Sequence, residues 1–226
     1  MISTTTAPPA TTDAPELAAT FFIETHHPAV ERFCVEHVGD LRDPRQSAVK
    51  LFYAVRDGFR YSPWAVADDP SAFQTSTVLA RGPGGPAHCI DKANVMVACA
   101  RRLGIPSRFH FADVRNHIGT ERLEAKLGTD LLVFHGYVEL WLGERWVAAT
   151  PTFNRELCER LNVEPLEFDG VHDSIFQAFD RREGQFMEYV TDRGTRVDLP
   201  YEEMIAAWRQ HYKEYERTGR WPKPDR

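Results

Sequence analysis

The chain has 226 residues, of which 42% are apolar, 12% aromatic and 27% charged, the make-up of a globular protein and not of a disordered one. Lys and Arg total 27 against 33 Asp and Glu, a formal charge of -6, so there is no basic excess for a phosphate backbone and no nucleic-acid partner is expected. No apolar run approaches the ~20 residues of a bilayer span, and the opening MISTTTAPPATTDAPEL lacks the basic and apolar regions of a secretory signal, so the expectation is a cytoplasmic protein without a membrane partner.

Residues 1–15 are rich in Thr, Ala and Pro and carry only Met1 and Ile2 as large apolar residues, which predicts a flexible leader before a single domain over 16–226. Val30, Phe33, Cys34 and Val38 recur at helical spacing after Pro28, and Gly39 gives a stop. A second helix is predicted from Pro44 to Asp57 on Val49, Leu51, Phe52 and Val55, then a short strand Phe59-Arg60-Tyr61. Residues 62–88 read as loop with brief helical turns, ending in RGPGGPAH, where glycines and prolines exclude a regular element.

The third helix, Cys89 to Leu103, has Gly104 and Pro106 as stop signals. Apolar residues on most of its faces predict a central, buried position, which gives Cys99 a core role. Ser107 to Val114 alternates, with Phe109, Phe111 and Asp113 on one side and Arg108, His110 and Ala112 on the other, the period of a strand. Residues 115–130 form a polar connection with room for a short helix. Leu131 to Leu142 and Arg145 to Thr150 then read as a hairpin around Gly143-Glu144, where a glycine in the first loop position suits a type II′ turn. Beyond Thr152 come a helix from Asn154 to Leu161, short aromatic pieces over 163–199 and a closing helix from Tyr201 to Glu216 with Met204, Ile205 and Trp208 inward. These read as packing elements. The fold class expected is α+β, a helix packed on an antiparallel sheet.

Cys34, Cys89, Cys99 and Cys158 show no CxxC spacing, and each is read as a free thiol. Cys89 alone begins a helix directly after a glycine-rich loop. Free backbone N–H groups and the helix dipole favour a thiolate there, so its pKa is expected below the ~8.5 of a free thiol. A nucleophile needs a base. With Gly143-Glu144 as the turn, Tyr137 faces Thr150 and His135 faces Thr152, so His135, Tyr137, Glu139, Thr150 and Thr152 share one face and Thr150 lies diagonal to His135. His110 and His117 lie on or after the preceding strand, and His26, His27, His37, His172 and His211 fall in helical or surface contexts. A zinc cluster built on His88, Cys89 and neighbouring histidines lacks CxxC, HxxxH or HExxH spacing, and RGPGGPAHC lacks the Lys-Ser/Thr of a phosphate loop. No metal and no cofactor are expected.

The segments PAHCIDKANVMVACARRLGIPSRF, FHGYVELWLGERWV and ATPTFN resemble the transglutaminase-like superfamily over about residues 45–155, leaving 156–226 as a C-terminal elaboration. The resemblance implies a papain-like Cys-His fold with Cys89 as nucleophile and His135 as general base, acting on a peptide, a protein or a small amide. The third catalytic position falls on Thr150, where the family usually has the Asp of DPT and this chain reads TPT. Asp113 is the alternative orienter, closing the strand beside the one that carries His135. Hydrolysis and acyl transfer both remain open, as does a non-catalytic relative that keeps the fold as a binding or scaffold module.

Overall fold

A computed structural model describes residues 14–117, 121–175 and 187–224. Of the expected leader, residues 1–13 lie outside this range, whereas Pro15 already belongs to a short 3-10 turn, Pro15–Leu17.

Helices α1 (Pro28–His37) and α2 (Pro44–Gly58) begin on prolines, which suit a first turn because they lack the N–H that has no intrahelical partner there. Asp43 caps α2 through the N–H of Gln46. The short strand β1 (Arg60–Tyr61) runs parallel to β2 (Pro86–Ala87). The glycine- and proline-rich loop therefore does contain a two-residue strand; its bonds are Arg60 N–H to Gly85 C=O and Ser62 N–H to Ala87 C=O, so the pairing asks no N–H of Pro86. Helix α3 (Thr75–Leu79) lies between β1 and β2.

The central helix α4 (Cys89–Arg102) buries almost every residue. Its buried polar groups are matched to backbone acceptors: Lys92 Nζ donates to Arg56 C=O at 2.8 Å, Asn94 Nδ2 to Phe22 C=O at 3.1 Å, and Arg101 to the carbonyls of Ser107, Ala18 and Val197. These bonds tie the segments before and after α4 to its flanks, which an all-apolar helix could not do.

The helix packs on a four-stranded antiparallel sheet in the order β5-β4-β3-β6, with β3 Ser107–Asn116, β4 Leu131–Leu142, β5 Arg145–Ala149 and β6 Met187–Arg196. Helix α5 (Glu121–Leu127) joins β3 to β4, and α6 (Arg155–Leu161) follows β5. Phe109, Phe111, Val138, Leu140 and Val147 belong to the core shared with α4, and Ala112, Val114, Tyr137 and Phe153 form a second cluster with Cys158 of α6. The hairpin has the expected register, Leu142 opposite Arg145 through Val138 opposite Ala149. Its turn differs: Gly143 and Glu144 both have positive φ, 57° and 70°, so the turn is type I′ and not II′, the form that follows strand twist when both central residues turn left-handed.

Two features were not foreseen. The aromatic pieces after residue 163 include β6, a full strand that completes the sheet against β3. The closing helix is two, α7 (Tyr201–His211) and α8 (Lys213–Thr218), separated at Tyr212. Met204, Ile205 and Trp208 are buried, as the spacing predicts. Among the described residues no helix is long and apolar enough to cross a membrane, and no group of three metal-binding side chains occurs.

Candidate active site

Cys89 is the first residue of α4, and His88 before it is the N-cap. His88 Nδ1 accepts the Asp91 N–H at 3.1 Å, and the Asp91 carboxylate accepts the His88 N–H at 3.2 Å, a reciprocal cap with histidine where Ser, Thr, Asp or Asn is usual. Arg81 bonds the same carboxylate at 2.6 Å, so the charge beside the helix start is paired. The cap occupies the Asp91 N–H and leaves those of Cys89 and Ile90 to face the Cys89 sulfur, which also meets the N–H of Gly136.

This meeting brings α4 and β4 together at one point, because Gly136 directly follows His135. A Cβ at position 136 would stand 3.2 Å from Phe111 Cε1 and 3.3 Å from Ile90 Cγ1. Glycine there lets the helix start approach the strand, the usual meaning of a glycine inside a strand. Cys89 and His135 line one cavity of about 50 Å³, walled mainly by Tyr61, Ile90, Phe134, Trp208, Tyr212 and Trp221. As a residue Cys89 is partly exposed, whereas Cys34, Cys99 and Cys158 are buried.

Burial sets the charges in this cavity. It pushes the Cys89 thiol up to about 11, against the opposing pull of the three N–H groups, so the lowered pKa expected for a helix-start cysteine is not found: desolvation outweighs the dipole and amides. Burial also takes His135 down to about 4. At neutral pH the resting pair is a thiol and a neutral imidazole.

A β-bulge just before His135 places it. Val133 and Phe134 of β4 stand opposite Asp113 of β3 between the pairs Leu132–Val114 and His135–Ala112, and Phe134 turns left-handed at φ 59°. The N–H groups freed by the bulge are both satisfied: Val133 donates to the Tyr212 hydroxyl at 2.7 Å and Phe134 to the Asp113 carboxylate at 3.1 Å. Arg193 of β6 also bonds Asp113 and lies over the Phe134 ring at 4.4 Å. Asp113 thus stands beside the strand of His135, as the strand order suggests, but its hydrogen bonds go to the bulge and to Arg193. Thr150 follows the last ladder pair of β5; its N–H donates to Ser174 C=O, and its buried hydroxyl has no hydrogen-bond partner among the described residues. Neither Asp113 nor Thr150 lines the cavity.

His110, opposite Tyr137 in the β3–β4 ladder, is stacked on that ring and bridges Glu139 at 2.8 Å and Asp192 at 2.7 Å, tying β3, β4 and β6. The cavity also holds Trp208 and Tyr212, from the closing helix expected only to pack, and Trp221 beyond it; all three lie more than 100 positions after Cys89, where local periodicity carries no information about what they enclose. The glycine of FHGYV was the one local signal of the helix–strand approach.

The sequence model of the transglutaminase-like superfamily matches residues 31–151, a span that contains Cys89, Asp113, His135 and Thr150. The chain belongs to the transglutaminase-like superfamily. No curated protein matches. Among solved structures, the superfamily chain is similar to one from Cytophaga hutchinsonii described as a candidate cysteine protease, with 13% identity and a TM-score of 0.45, covering 80% of this chain and 53% of that one. It is similar also to red sea bream transglutaminase, with 17% identity and a TM-score of 0.34, covering 58% of this chain and 26% of that one. The chain thus spans about half the length of the first and a quarter of the second.

Proposed function

We propose that this protein is a cysteine-nucleophile acyl-transfer enzyme, in which Cys89 attacks an amide or ester carbonyl and His135 moves the proton. The observation that carries the reading is the one cavity shared by Cys89 and His135, with the thiol beside the backbone N–H of the residue after the histidine. The thiol proton passes to His135 as the S–C bond forms, and the carbonyl π pair moves onto oxygen. In this reading the backbone N–H groups that face the sulfur at the helix start, those of Cys89 and Ile90, hold that oxyanion. Collapse expels the amine, which takes the proton from His135 and leaves a thioester. Water activated by His135 then releases the acid, or a second amine takes the acyl group.

A resting neutral pair suits this scheme. Neither charge exists until substrate is present, and the ion pair forms where three N–H groups already point. The small apolar cavity favours a short uncharged acyl portion of a peptide, protein or small amide, with the remainder of the substrate outside. Orientation of His135 is assigned to the bulge beneath it: Asp113 acts as a positioning residue through Phe134, and Thr150 is the position of the usual acid.

The test is acylation by p-nitrophenyl acetate followed by peptide mass mapping. One hydroxylamine-labile acetyl group on Cys89, absent from Cys89→Ser, is expected; an unmodified Cys89 would contradict the reading. One observation favours the other reading, a catalytically silent scaffold. The usual acid is a threonine whose hydroxyl bonds nothing among the described residues. Limiting iodoacetamide separates the two, since preferential labelling of Cys89 over Cys34, Cys99 and Cys158 fits an enzyme and uniformly slow labelling fits the scaffold.

A further inference from the structure

Resting on the acyl-transfer reading, we infer that His88 is a further catalytic residue, whose Nε2–H donates to the carbonyl oxygen of the substrate as it becomes an oxyanion. Nδ1 of His88 accepts the Asp91 N–H at 3.1 Å, so that nitrogen presents a lone pair and the ring proton of the neutral imidazole must sit on Nε2. Burial keeps the ring neutral by lowering its pKa.

This Nε2–H is a donor with nothing to donate to. His88 is 4% exposed, and Nε2 has no hydrogen-bond partner among the described residues. A buried N–H is rarely left so in a folded chain, and an exception points to a role. His88 lines the same cavity as Cys89 and His135, with its ring fixed by the cap on one side and by Phe73 at 5.8 Å on another. A second donor without a partner among the described residues, Nε1–H of Trp208, belongs to a residue that lines that cavity too. Two unanswered N–H groups in one apolar cavity call for an acceptor, and the group that chemistry at Cys89 brings there is a carbonyl oxygen. The unusual histidine cap is thereby explained: Ser, Thr or Asp would cap α4 equally well but offer no N–H, and the second nitrogen of histidine carries its proton farther from the cap than the amide of Asn reaches.

His88→Ser tests this, because serine keeps a cap acceptor on a side chain that carries no N–H and is too short to set a donor where Nε2 stands. Two probes of Cys89 are compared at pH 7. Iodoacetamide reacts without forming an oxyanion, so its rate at Cys89 should stay within about twofold of wild type. Acylation by p-nitrophenyl acetate passes through an oxyanion and should slow by roughly 10²-fold, the loss typical of one oxyanion donor. Equal acylation of wild type and His88→Ser would overturn the inference and leave the acyl-transfer reading intact; failure of wild-type Cys89 to acylate would overturn both. If His88→Ser does not fold, nitrogen-15 histidine spectra of the wild type decide. Formation of the acetaldehyde hemithioacetal at Cys89 should move the His88 Nε2–H resonance downfield, and an unmoved resonance would overturn the inference.

Discussion

At the scale of single residues, burial decides what the candidate catalytic pair looks like at rest. His135 has a folded pKa of about 4 against an ordinary 6.5, so the unfolded chain binds more protons between those values and stability falls as pH drops through them. His88 is lowered in the same direction, whereas His110, held above its ordinary value by Glu139 and Asp192 despite burial, is charged in both states below 6.5 and adds nothing there. From pH 6.5 to 4.5 the wild type should therefore lose about 2 to 3 kcal/mol more than His135→Asn, by the 1.36 kcal/mol per pKa unit of the linkage. Parallel losses in urea melts across that range would contradict a buried neutral His135. Asp113 shows where sequence reading stops: strand order puts it beside His135, but the bulge that directs its carboxylate to Phe134 N–H leaves no mark in the alternation. Asp113→Asn keeps an acceptor for that N–H and loses the Arg193 pair, so a stability loss of about 1 to 2 kcal/mol is expected from chemical denaturation.

At the scale of elements, α4 and the β4–β5 hairpin were legible because strong signals coincide: helix stops at Gly104 and Pro106, and a two-residue turn that fixes register. The site depends on something finer, the close approach of the α4 start to β4 at Gly136. Gly136→Ala would force Phe111 and Ile90 apart by a few tenths of an ångström. A loss of about 1 to 3 kcal/mol, typical of overpacking, is expected in thermal melts, together with slower alkylation of Cys89 as its contact with the Gly136 N–H lengthens. The hairpin turn offers an opposite case. Glu144 is left-handed at φ 70°, so Glu144→Gly should stabilise by about 1 kcal/mol, the penalty for a side chain in that region, and a lowered melting temperature would show that the turn is held otherwise.

At the scale of the whole molecule, the C-terminal part that reads as mere packing in the sequence closes the cavity from outside. Trp221 donates its indole N–H to Pro63 C=O and its backbone N–H to Asp68, each at 2.8 Å, and Lys223 Nζ reaches Val66 C=O at 2.9 Å. These contacts fasten the end of the chain over the loop beside Cys89, and the enclosure they complete raises the thiol. Helical spacing predicts the inward face of α7 but not which cavity that face covers, since the covering is a contact across more than 100 residues. Trp221→Ala should cost about 3 to 5 kcal/mol in stability and, by readmitting water, speed alkylation of Cys89 at pH 7 by roughly 10-fold. An unchanged alkylation rate would mean that the tail does not control access.

The central claim is that Cys89 and His135 act as one unit, and the rate of Cys89 alkylation by limiting iodoacetamide at pH 7 tests it most directly. With the thiol alone raised to about 11, reaction at neutral pH depends on a base within the cavity. Wild type is expected to react roughly 10²-fold faster than a folded His135→Asn variant, the lower end of what a positioned base contributes. Equal rates in the two proteins would contradict the account.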